Sequence, residues 1–163
     1  MKLNQAVTVL LTGVLLNSLA AAQTRKRSAS EDADQKELYN YVLTMDKVQR
    51  LGQATEALMD YAKSRPELND TSDAKSLDQL TQKFQKYPEA VSILNKYGFS
   101  PREYAVAFMT VMQASMAVGF KKSGTYQEYP PNMLKLVSKA NLDFVEQHWD
   151  AIQKLGKKAG DEK

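Results

Sequence analysis

The sequence predicts an all-α protein: a single bundle of four to five helices following an N-terminal signal peptide. Three observations lead there. Apolar residues recur at steps of three and four along most of the chain, and no run alternates as a half-buried strand would. Serine and proline open several of these stretches in the pattern of helix starts, at Ser76, Pro88 and Ser100-Pro101. Ahead of them stands a short charged start, an apolar run and three alanines.

That first segment reads as an export signal over residues 1–22. Met1 and Lys2 are followed by the apolar run Ala6–Leu16, then by Asn17, Ser18 and Ala20-Ala21-Ala22, the three parts of a secretory signal peptide. Cleavage is expected after Ala22, with Ala20 as the alternative. The run is short for a membrane span, which needs ~20 residues. Residues 3–22 reach that length only by including Asn4, Gln5 and Asn17, and this defines the alternative, a membrane-anchored protein. Arg25, Lys26 and Arg27 lie just beyond the run, and positive charge tends to stay cytoplasmic, which favours the inverted orientation. The alanine site outweighs that balance.

Residues 23–35 are polar and lack apolar periodicity, as expected of a flexible leader. Residues 36–156 form the expected helical domain. Leu38, Val42, Met45, Val48, Leu58, Met59 and Ala62, with Thr55 and Gly52 on the same stripe, predict one helix over 36–63. A glycine inside a helix costs about 1 kcal/mol relative to alanine, so Gly52 marks either a close helix crossing or a tolerated weak spot. Ser76 with Gln79 opens a short helix carrying Leu77, Leu80 and Phe84. Pro88 opens the next, which buries Ile93, Leu94 and Tyr97 and closes at Gly98.

The sharpest signal is Phe99-Ser100-Pro101-Arg102-Glu103-Tyr104. It combines a capping serine, proline at the first helical position, glutamate at the third, and two aromatics placed to clasp across the helix start. The helix from Ser100 to Lys121 is apolar nearly all round and is the expected centre of the bundle. After a Tyr- and Pro-bearing loop, Met133 to Val137 predict a short turn. A last helix over 138–155 should then bury Leu142, Val145, Trp149, Ile152 and Leu155 and stop at Gly156. Residues 157–163 form a charged tail expected to fray.

Composition bounds the function. The chain has no cysteine, which removes thiolate chemistry, disulfides and thiolate metal sites. Its formal charge of +3 is too small to imply nucleic acid as a partner. A membrane is a partner only if the signal segment is retained. No phosphate loop, dinucleotide fingerprint or nucleophile elbow is present, so no catalytic residue is assigned and no cofactor is implied.

Two sets of residues carry chemistry worth weighing. Met109, Met112 and Met116 share one side of the central helix, and thioethers suit Cu(I). Methionine also fills irregular core gaps, which is the reading that so apolar a helix favours. His148, the single histidine, stands beside Trp149 with Asp143 and Glu146 near it in sequence. Histidine suits proton transfer near neutral pH, yet a lone one fits a structural place better. Met45 with His148 could ligate haem as in helical cytochromes, although no haem-attachment motif is present. One histidine excludes the di-iron carboxylate bundle, which needs two. The expected function is therefore a non-enzymatic exported protein that binds an unknown protein or small ligand. The alternative is a copper- or haem-binding bundle, and an enzyme of unknown class comes third.

Overall fold

The computed structural model describes residues 29–65 and 76–161, with side chains as far as 156. Residues 1–28, where the signal segment and the start of the polar leader are expected, and residues 66–75 lie outside the described residues. The described residues are helical throughout, without strands: α1 (Ala29–Asn40), α2 (Met45–Ala62), α3 (Leu77–Gln85), α4 (Pro88–Lys96), α5 (Pro101–Lys122), α6 (Pro131–Leu134), α7 (Lys139–Gln147) and α8 (Trp149–Asp161). None of these helices is long and apolar enough to cross a membrane.

The central position of α5 is as expected. It touches α1, α2, α3, α4 and α7. The residues that let five helices approach are small: Ala105, Ala107, Ala114 and Ala117 are all buried. Helix separation depends on the side chains at the contact, so alanine here permits close packing where methionine would hold neighbours off. Met109, Met112 and Met116 are only half-buried, and Phe120 is exposed.

The start of α5 follows its sequence signal. Ser100 Oγ accepts the Glu103 backbone N–H at 3.1 Å, and the Phe99 and Tyr104 rings meet edge to face at 6.4 Å. The Glu103 carboxylate accepts from the Tyr41 hydroxyl at 3.4 Å; burial, and then this carboxylate, push the Tyr41 pKa up to about 12. Ser100→Ala should lower stability by about 0.5–2 kcal/mol, the usual cost of a lost cap, seen as a lower denaturant midpoint.

Several boundaries differ from expectation. The polar leader expected over 23–35 is helical from Ala29 onward. Its side chains are satisfied by polar tertiary bonds that apolar periodicity does not register. Asp34 Oδ2 accepts the Leu77 backbone N–H at 2.8 Å, and Gln35 Nε2 donates to the Leu136 carbonyl at 2.8 Å. Glu37, Asp34 and Asp78 surround the Arg102 guanidinium. Its hydrogen bond to Glu37 leads in raising the Arg102 pKa, against the opposing effect of burial.

The helix expected over 36–63 is two helices, broken at residues 41–44. Asn141 bridges the break: its Nδ2 donates to the Tyr41 carbonyl at 2.6 Å and its Oδ1 accepts the Leu43 N–H at 3.1 Å. Thr44 then caps α2 by accepting the Lys47 N–H. The break turns Leu43 into the core and leaves Val42 61% exposed. The buried face of α2 consists of Val48, Leu51, Ala54, Leu58 and Ala62, so Leu51 and Ala54 join the expected stripe while Met45, Thr55 and Met59 sit at its edge.

The last expected helix, 138–155, is likewise two. Ser138 caps α7 by accepting the Asn141 N–H. The chain then leaves helical geometry at His148 (φ −106°, ψ 19°) before α8 begins. Nor does α8 stop at Gly156; it runs on to Asp161. Eight helices thus replace the expected four to five among the described residues, because two predicted helices are each divided and Pro131–Leu134 completes a turn of its own.

Candidate functional site

A groove of about 400 Å³ lies between α2, α5 and α8. It follows from the break at His148. While α7 packs along α5, α8 packs chiefly against α2 and α7, and its side chains only partly fill the space between α8 and α5. From α5, Phe108, Val111, Met112 and Ser115 face it, the spacing of one helical stripe. From α2 come Leu51, Gly52 and Thr55; Leu155 and Gly156 of α8 form the far wall.

Glycine at 52 and 156 helps to keep this space open. A methyl group built at Gly52 would meet the Leu155 side chain at 3.6 Å, ordinary contact, and one at Gly156 would meet nothing within 4 Å. Gly52 is therefore not required by a helix crossing. Gly52→Ala should raise stability by about 0.4–1 kcal/mol through helix propensity and a less flexible unfolded chain, seen as a higher melting temperature.

The walls are chiefly apolar, with few polar groups. Thr55 Oγ1 donates to the Leu51 carbonyl at 2.8 Å and shares a hydrogen bond with the Tyr104 hydroxyl at 3.0 Å. Burial pushes the Tyr104 pKa up to about 12. Ser115 Oγ is shut off from solvent and has no hydrogen-bond partner. Gln113 Oε1 is also buried and unpaired, but its residue points about 200° round the helix from Ser115. Among the described residues, none that lines it is charged.

The sequence-derived candidates fall in separate places. Met109 packs beside Leu38, Leu77 and Val106, where α1 and α3 meet α5. Met112 is in the groove wall, and Met116 is half-buried one turn further on. His148 sits between α7 and α8, its ring 4.7 Å from that of Phe144, whereas Met45 is the first residue of α2. Among the described residues, no three His, Asp or Glu side chains gather as a metal site. Sequence reasoning singled out Gly52 and Met112 but not the groove. The Phe108-Val111-Met112-Ser115 stripe was the available signal, and what it faces depends on where α8 lies.

A second polar cluster closes the far end of α5. Lys121 Nζ donates to both Glu146 oxygens at 3.0 Å, and the Tyr129 hydroxyl donates to Glu146 at 2.9 Å. The bond from Lys121, then that from Tyr129, holds the Glu146 carboxyl below its usual range. Burial, followed by the Glu146 bond, raises the Tyr129 pKa. All three groups are mutually satisfied, which makes the cluster a clasp for the 125–130 loop.

No protein-family model, curated protein or solved structure matches this chain.

Proposed function

We propose that this is an exported, non-enzymatic binding protein that takes a small, mainly apolar ligand in the groove between α2, α5 and α8. The groove itself carries the reading. Its volume of about 400 Å³ falls within the roughly 300–1,000 Å³ of small-ligand sites, which are concave, largely apolar and carry few polar groups. Export is supported by the Ala6–Leu16 run and Ala20-Ala21-Ala22, and the mature domain is then the helical bundle built on α5.

Titration with the uncharged dye Nile red tests the binding. Wild type should enhance its fluorescence saturably. Met112→Trp, whose indole would occupy the groove, should weaken binding at least tenfold, while Met112→Leu should not. Equal binding by the tryptophan variant would overturn the reading. For export, N-terminal sequencing of protein recovered outside the cytoplasm should begin at Gln23; intact Met1 in a membrane fraction would favour the anchor.

A further inference from the structure

The stripe of α5 that faces the groove is longer than the groove itself. At about 100° per residue, Phe108, Val111, Met112 and Ser115 share one side of the helix, and Tyr104, Gly119 and Lys122 fall on that same side. Resting on the binding role just proposed, we infer that Trp149 is the end wall of the groove and limits the ligand to a short, rod-like apolar molecule spanning about two turns of α5.

Both ends of the stripe are covered. At the N-terminal end Tyr104 is buried, and its hydroxyl shares a hydrogen bond with Thr55 Oγ1 at 3.0 Å that ties α5 to α2. At the other end lies Trp149, the first residue of α8 and the single tryptophan of the chain. A methyl group built at Gly119 would meet the indole Cη2 at 3.4 Å, so glycine lets the ring approach the backbone of α5. Lys122 Nζ lies 6.0 Å from the ring centre, which sets the indole across the next turn of the same stripe. One turn further along α8, Ile152 already lines the groove. The open stretch thus runs from Phe108 to Ser115, about 10 Å at 1.5 Å per residue.

A ligand that fits between these ends covers apolar surface on all three helices, which is favourable. A longer one must displace the indole, itself packed against the core shared by α5 and α7, or leave its surplus length in water. Discrimination of this kind is steep, since one surplus methylene in an apolar pocket costs roughly 10- to 200-fold.

Three uncharged rods of one chemistry, trans-stilbene, diphenylbutadiene and diphenylhexatriene, differ only in length, and displacement of Nile red from the full chain ranks them. Longer rods are more apolar, so a preference for the shortest runs against the general trend. Wild type should bind trans-stilbene at least tenfold more tightly than diphenylhexatriene. Trp149→Ala should bind diphenylhexatriene at least tenfold more tightly than wild type does, with trans-stilbene changed less than threefold. Trp149→Phe keeps a ring over Gly119 and should retain the wild-type ranking. Trp149→Leu provides a second truncation that keeps apolar contact with α5, and should shift the ranking in the same direction as alanine even where alanine unfolds the chain. A wild type that takes all three rods equally, or truncations that weaken or strengthen all three alike, would overturn the end wall, while Nile red binding and its block by Met112→Trp would leave the groove standing. If neither Nile red nor any rod binds wild type, the groove reading falls and the length limit falls with it.

Discussion

Asn141→Ala should lower the unfolding free energy by about 2–5 kcal/mol, because it strands two backbone groups at once. Asn141 is 2% exposed, and its amide is shared between the Tyr41 carbonyl and the Leu43 N–H. Neither backbone group lies inside a helix, since residues 41–44 are the break between α1 and α2. Alanine supplies no substitute, and the site is shielded from water. Asn141→Asp should recover only part of the loss: it retains an acceptor for Leu43 but sets a carboxylate against the Tyr41 carbonyl. Denaturant unfolding of the three proteins checks the order wild type, aspartate, alanine. An alanine variant within 0.5 kcal/mol of wild type would show that the break is held by something else.

Phe99→Ala should cost about 3–5 kcal/mol, the range for deleting a fully buried aromatic side chain. Phe99 is 1% exposed and joins Leu94, Tyr104 and Leu58 in the core shared by α2, α4 and α5. The Arg50 guanidinium lies 5.2 Å from its ring centre and donates to the Tyr97 carbonyl at 3.0 Å. Gly98, at φ 77°, makes the turn that delivers Phe99 to this site, and a methyl group there would lie 2.7 Å from Arg50 Nη1. Phe99→Leu should lose markedly less than alanine because most of the volume remains. Calorimetric melting of both variants provides the comparison, and equal losses would mean that the site collapses around leucine as poorly as around alanine.

What could be read in the chain, and what could not, divides along the range of the forces involved. Ser76, Ser100 and Ser138 all cap helices. Each cap involves atoms three residues apart, so its signal is local. The break at Tyr41–Thr44 contains no glycine or proline, and the side chain that pairs its backbone is an asparagine 100 residues further along. The part of α1 before residue 36 went unread because only Leu38 is buried within the whole helix; its remaining attachments are hydrogen bonds and ion pairs, whose partners no periodicity names. The groove was hidden for a related reason. Its stripe on α5 was visible as apolar surface, but whether that surface is covered depends on the redirection of α8 after His148.

The attachment of α1 also determines how it responds to its surroundings. One leucine, hydrogen bonds from Gln35 and to Asp34, and a ring of carboxylates around Arg102 hold twelve residues in place. Partly exposed ion pairs weaken as salt rises, since the screening length falls from about 10 Å at 0.1 M to 3 Å at 1 M, whereas apolar contacts do not share that loss. Ionic strength thus acts on this protein unevenly, loosening α1 while the alanine-lined core around α5 holds. Amide protons of α1 should therefore exchange through a shallow local opening, with protection that falls as salt rises while that of α5 does not.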